Sequence, residues 1–154
     1  MKKRDLTFPA HLEEIIQRCE SCNVAMVDLE GKPYLIPMNF GFEDNVLYLH
    51  SAPEGKKLEI LKKNPEVCVS FSTDHVVRYQ NKTVGCSYSM KYRSVLLYGS
   101  VDFVEDFDEK ERIMHIFMKH YKAEEGYRFG VPAIKNVCVM RIEVEKMEGR
   151  VYGY

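Results

Sequence analysis

Two short turn signals in the first third of the chain restrict its fold more than any other feature. Glu30-Gly31-Lys32-Pro33 separates the apolar segments Asn23–Leu29 and Tyr34–Phe42, and Glu43-Asp44-Asn45 separates the latter from Val46–His50. Connections this short join antiparallel neighbours, because a parallel pair needs a crossover of about a dozen residues or more. Further strands are expected at Val67–Ser72, at Tyr88–Val104 and at Val137–Lys146. In the last of these Cys138, Met140, Ile142 and Val144 alternate with Arg141, Glu143 and Glu145. Helical spacing places one helix over Pro9–Cys19, another from near Pro53 to Asn64-Pro65, and a third over Asp106–Lys122. The third carries the stripe Ile113, Ile116, Phe117 and Tyr121. Asp74–Ser87 and Gly126–Pro132 are expected as loops. About six strands and three helices that do not alternate regularly argue against a doubly wound sheet. They predict a mainly β fold, an antiparallel barrel or rolled sheet with peripheral helices. With no linker or repeat in 154 residues, residues 1–154 are expected to form a single domain.

Charge narrows the function classes. Lys and Arg number 22 against 23 Asp and Glu, a net charge of −1, whereas proteins that track phosphate backbones carry a basic excess. Nucleic acid is therefore not expected as the partner, and Lys2-Lys3-Arg4 reads as a solvated tail. No apolar run reaches the length of a membrane span and the N-terminus has no export-signal pattern, so a cytoplasmic protein with no membrane association is expected. Five cysteines, an odd number, then read as reduced thiols.

Few motifs carry chemistry. Cys19-Glu20-Ser21-Cys22 has redox spacing, but it follows the first helix, where the dipole disfavours a thiolate. Cys68, His75 and Cys86 show no zinc-ligand spacing. Structural cysteines are the expectation, a thiol or zinc protein the minor alternative, and no metal site is expected. His115 and His120 lie roughly 140° apart around a helix and do not readily share a metal. Asp102, Glu105, Asp106, Asp108 and Glu109 read as helix-start capping. The segment from Leu47 to Lys57 stands out. A strand ends in His50-Ser51, and the helix after Pro53 has Gly55, Lys56 and Lys57 near its start. Lysines there oppose the helix dipole unless an oligoanion binds. On spacing alone, a phosphate site and a solvated helix start both remain open.

Several segments together resemble one family. They are Asn23–Asp28, Pro33–Gly41, His50–Lys57, Met90–Val95 with Gly99, and Val137–Ile142, in that order. The chain resembles the FMN-binding split-barrel proteins related to pyridoxamine 5′-phosphate oxidase, in the Nim-like (nitroimidazole-resistance) branch. The resemblance implies a six-stranded antiparallel split β-barrel that forms a homodimer with FMN at the subunit interface. It implies that Pro37, Met38 and Asn39 run beside the flavin ring, that His50 and Ser51 line the pocket, that Lys56 and Lys57 hold the phosphate, and that Ser94 reaches the flavin. His50 is the candidate proton donor. The oxidase completes its site with a C-terminal segment rich in Arg, His and Trp. This chain has no Trp and ends Gly149-Arg150-Val151-Tyr152-Gly153-Tyr154, so pyridoxamine-phosphate oxidation is not expected. The expectation is an FMN-dependent oxidoreductase reducing a small, nitroaromatic-type acceptor. The alternative is a non-catalytic flavin- or haem-binding module.

Overall fold

The computed structural model describes residues 2–154. In chain order the elements are β1 (Lys3–Leu6), α1 (Pro9–Gln17), β2 (Cys22–Val27), β3 (Pro33–Met38), β4 (Phe40–Glu43), β5 (Val46–Ser51), α2 (Lys56–Lys63) and β6 (Glu66–Arg78). A single 3-10 turn at Gly85–Ser87 leads into β7 (Ser89–Val104), α3 (Phe107–His120), α4 (Val131–Asn136), β8 (Cys138–Glu143) and β9 (Lys146–Tyr152).

Every strand pair is antiparallel, as the turn signals require. The ladder runs β3-β2-β6-β7-β8-β5-β4. Because β3 and β4 are the two halves of one expected strand, joined through Asn39, the chain itself closes the ring. All six expected strands are therefore present, one of them split at Asn39. Proline has no N–H to give a ladder, and Pro37 sits in β3, whose one ladder partner among the described residues is β2. The 16-residue β7 pairs first with β6 and β9, then with β8. It changes neighbours beside Gly99, where a Cβ would come within 2.6 Å of the Glu143 carbonyl oxygen, so only glycine allows the approach.

The ring encloses one apolar core. Phe40 and Phe71 meet edge to face at 5.0 Å inside it, both fully buried. Helix α1 adds Leu12, Ile15 and Ile16 to this core, and α2 adds Leu58, Ile60 and Leu61. Helix α3 instead covers the outer side of β4 and β5, packing Ile113, Ile116 and Phe117 against Tyr48 and Val139. Its N-cap Asp106 accepts a hydrogen bond from the Glu109 N–H at 2.9 Å, which is the capping role expected for that acidic cluster.

Five features depart from the sequence expectations. Lys3–Leu6 is not a free tail but pairs with β9, from Lys3 opposite Tyr152 to Leu6 opposite Gly149. Pairing over so long a separation leaves no local signal. The expected loop at Asp74–Ser87 is shorter, because β6 continues past a bulge after Thr73 to Arg78. Asp74 takes up the irregularity at φ 58°. The second helix starts at Lys56 rather than near Pro53, since Gly55 at φ 140° turns the chain there. Finally, part of the expected Gly126–Pro132 loop belongs to α4, and the last expected strand stops at Glu143 before the chain returns as β9. Among the described residues no helix is long and apolar enough to cross a membrane.

Candidate functional site

A cleft of about 700 Å³ opens at the split in the barrel, within the roughly 300–1,000 Å³ range of small-molecule sites. One wall is the C-terminal end of β3, with Pro37, Met38 and Asn39. The floor is the end of β5 and the bend after it, with His50, Ser51, Ala52 and Pro53. Lys57 closes one end, and Ala133, Asn136 and Val137 of the α4 region form the facing wall. Ser21 completes the rim. Six sequence-named residues thus come together: Pro37, Met38, Asn39, His50, Ser51 and Lys57.

Two others do not. The Lys56 Nζ lies over the Tyr34 ring, 4.7 Å from its centroid, and Lys56 does not line the cleft. Consecutive residues at a helix start diverge by about 100° around the axis, so only one of the two lysines points into the cleft. Ser94 sits on β7 opposite Ser72 and Arg150 and lines a separate cavity with Tyr92 and Leu96. Strands β2 and β6 stand between β7 and β3 in the ladder, so Ser94 is three strands along the sheet from β3.

Sequence reading missed Ser21, Ala133, Asn136 and Val137. The usable signal was Pro132 after Gly130, a helix-opening pattern that places a short helix where a loop was expected. Lys110, itself buried, donates from its ammonium to the Lys135 carbonyl at 3.3 Å and the Val137 carbonyl at 3.0 Å, and so fixes that wall.

The cleft's polar groups are available. Asn39, Asn136 and Lys57 have no side-chain partner among the described residues. Ser51 donates to the Ala52 carbonyl at 2.8 Å and meets the Cys138 thiol across the strand pair, which leaves one lone pair of its oxygen to accept. Gly55 supplies no side-chain cap, so first-turn N–H groups of α2 are open to a ligand. The half-buried His50 ring packs edge-on to Phe117 at 4.6 Å. Burial pushes its pKa below the ordinary histidine value, so it is neutral at pH 7. A cation beside open N–H groups suits a phosphate, and the free edge of β3 can meet the polar edge of a flat heterocycle.

The cysteines do not line this cleft. Cys19 and Cys22 are buried thiols that donate to the Ile15 and Met38 carbonyls at 3.3 and 3.5 Å. Burial pushes their pKa values up to about 11 and about 12, far from a reactive thiolate.

The model of one family, pyridoxamine 5′-phosphate oxidase, matches residues 9–151, nearly the whole chain. The chain belongs to the pyridoxamine 5′-phosphate oxidase family. Within the range of that family's split-barrel structures it is similar to a putative 5-nitroimidazole antibiotic resistance protein from Bacteroides thetaiotaomicron. The two share 42% identity and a TM-score of 0.86, over 97% of this chain and 87% of that one. The fold also matches a FAD-binding protein from Mesorhizobium loti at 22% identity and TM-score 0.72, covering 99% of this chain and 100% of that chain. A FAD- and haem-binding protein from Mycobacterium smegmatis matches at 19% identity and TM-score 0.79, covering 97% and 74%. No curated protein matches the chain. Tyr154 is tied to the barrel, with the Lys91 and Arg93 cations over its ring and its hydroxyl on the Asp74 carbonyl.

Proposed function

We propose that the protein is an FMN-dependent reductase that passes electrons through its flavin to a small acceptor of the nitroaromatic class. The observation that carries this reading is the unpartnered polar lining of the cleft, above all Lys57 at the open start of α2. Lys57 and the α2 N–H groups would hold the terminal phosphate of FMN, while Ser51 accepts from a neighbouring ligand donor. Pro37, Met38 and Asn39 would lie along the ring, with Asn136 opposite. Bound flavin supplies the electron transfer, and the protein supplies orientation and electrostatics. His50 is positioned to hold a proton for the acceptor, and its lowered pKa makes its protonated form a better acid.

The working unit in this reading is a homodimer whose second copy brings Ser94 to the flavin, since Ser94 cannot reach the cleft of its own chain. Two surfaces support it. The outer face of β2, β6 and β7 carries the small Ala25, Ser70, Ser72 and Ser94 beside Leu96 and Tyr98, a mixed apolar and small-residue surface that another sheet can cover. Beyond the bulge, Val77, Tyr79, Tyr88 and Met90 are exposed on one face of the β6–β7 ribbon, a patch of the kind that marks an interface.

The visible spectrum of the purified protein, followed by chromatography of the released cofactor, tests the reading. FMN is expected; a Soret band or bound FAD overturns the cofactor assignment. Anaerobic mixing of the reduced protein with a 5-nitroimidazole tests turnover, with rapid reoxidation expected and none if the protein only stores or senses the cofactor. Sedimentation at dilution tests assembly: a flavin-loaded monomer rules out the dimer.

A further inference from the structure

The end of α3 grips two chain segments just before they enter the cleft. The Tyr121 hydroxyl donates to the Glu20 carbonyl at 2.8 Å and accepts from the Phe40 N–H at 3.2 Å. The neighbouring His120 ring contacts the Gln17 Oε1 through Nδ1 at 3.1 Å and the Cys19 carbonyl through Nε2 at 2.9 Å. Residues 17–20 lead into Ser21, and Phe40 follows Asn39; Ser21 and Asn39 both line the cleft.

The His120 contacts impose a protonation condition. Gln17 donates from Nε2 to the Phe42 carbonyl at 3.0 Å, which fixes its Oε1 towards the imidazole. Both groups facing the ring are thus acceptors. A neutral imidazole carries one N–H, so it satisfies one of them and sets a lone pair against the other; imidazolium satisfies both. Burial lowers the His120 pKa and the Cys19 carbonyl works against that shift, which leaves the ring neutral at pH 7 with the second bond formed on acidification. His120 lines a second cavity of about 520 Å³ through which a proton can arrive. Arg18 of the α1 end, Glu20 of the following loop, Asp74 of β6 and Lys122 beyond α3 line the same cavity, with Tyr121 and the Cys19 thiol. Two charges of each sign nearly cancel, and β4 presents only the apolar Phe40 ring, 4.4 Å from the imidazole. The pair of acceptors therefore decides what protonation does.

We propose that His120 is a positioning residue whose protonation tightens the grip on residues 17–20 and so sets the placement of Ser21 and Asn39 in the cleft. The role in ligand binding rests on the flavin reading above; the grip itself does not. By reciprocity, a ligand that favours the tightened cleft raises the affinity of His120 for its proton.

Proton–nitrogen correlation NMR across a pH titration tests the grip without any cofactor. The Ser21 and Asn39 amides are expected to shift with the same midpoint as the His120 ring nitrogens, and to lose that transition in His120→Phe. Gln17→Glu sets a carboxylate against Nδ1 and is expected to raise the midpoint by about 1–3 pH units. Amides that ignore the His120 titration, or a midpoint that Gln17→Glu leaves in place, overturn the proposal. Riboflavin, which has no phosphate to titrate, reads the consequence for binding. Its affinity is expected to be about two- to tenfold higher near pH 5.5 than near pH 8, the worth of one hydrogen bond, and the part due to His120 disappears in His120→Phe. A remaining dependence belongs to His50. Coupled amides without flavin binding at any pH would end the flavin reading and leave the grip standing; flavin binding with uncoupled amides would do the reverse.

Discussion

The cleft and the Asp74 corner are built from similar polar residues to opposite effect. At the corner every strong group is engaged. Arg18 and Arg93 donate to the two carboxylate oxygens of Asp74 at 2.6 and 2.7 Å, and Tyr154 donates to its carbonyl at 2.5 Å. Lys91 and Arg93 lie over the Tyr154 ring at 3.6 and 3.8 Å from its centroid, and Arg4 donates to the Tyr154 carbonyl oxygen. In the cleft, Asn39, Asn136 and Lys57 have no side-chain partner among the described residues. A saturated network stabilises the protein that contains it, while unpaired groups lower the cost of binding a ligand, because no internal bond must first be broken. The corner fastens the bulge, the N-terminal strand and the chain end; the cleft is left to recognise something else.

The sharpest way to break this contrast is to alter Lys57. Lys57→Ala should weaken FMN binding about ten- to a hundredfold, as expected for a hydrogen bond to a charged group, and leave melting temperature unchanged. Lys56→Ala should do much less to affinity, because that ammonium lies on Tyr34. Parallel FMN and riboflavin titrations check this; equal losses for both ligands would mean that Lys57 acts on the fold rather than on a phosphate.

Asp74→Ala should show the reverse pattern, with stability falling by about 1–2 kcal/mol after loss of two charge-assisted bonds and flavin affinity unchanged. Its pH dependence follows from its surroundings. Burial alone raises the Asp74 pKa, but the hydrogen bonds and charges of Arg18 and Arg93 outweigh it and hold the pKa below the usual aspartate range. The folded-state pKa is thus the lower one. The stabilisation is complete above the unfolded value of about 3.9 and is lost as pH falls through the depressed folded value. Thermal melts of wild type and variant should therefore converge in acid, below about pH 4.

Replacing Cys19 and Cys22 by Ala alters no side chain that lines the cleft or bonds to Asp74, although the Cys22 thiol donates to the Met38 carbonyl, and serves as the control. Two small cavities should cost about 1–2 kcal/mol together, with flavin content and reduction rate unchanged. Cys86 is exposed and should label first with a thiol reagent, well before the buried pair. A fast-reacting Cys19 or Cys22 would revive the thiol-redox alternative.

Removing Tyr154 is the mildest change. Two exposed cation–π contacts are worth about 0.5–1 kcal/mol each, which predicts a melting temperature lowered by a few degrees, measured by calorimetry, and no effect on the cleft. A marked loss of flavin affinity would show that the corner and the cleft are coupled and that the contrast drawn between them fails.

What the residues determined on their own was local. Turn chemistry at Gly31 and Asn45 required hairpins, alternation along β8 marked its two faces, and Asp106 with the stripe Ile113, Ile116 and Phe117 made α3 legible from its cap onward. Pro37, which has no N–H, left open a strand end, a bulge or a backbone position free for a ligand, and it stands next to last in β3. The family resemblance, rather than the residues alone, named Pro37, Met38, Asn39, His50 and Ser51 together, and the fold lines one cleft with all five. Tertiary structure decided everything that depends on direction or on distant partners. It separated Lys56 from Lys57, placed Ser94 outside the cleft and three strands from β3, joined β1 to β9, brought α4 up as a wall, and set His120 between two acceptors 101 and 103 residues away. The reason is physical. Periodicity and turn residues act through the backbone of a few neighbours, so they can be read in sequence. Strand order, register and the direction in which a side chain points are fixed only when segments far apart in the chain pack against one another.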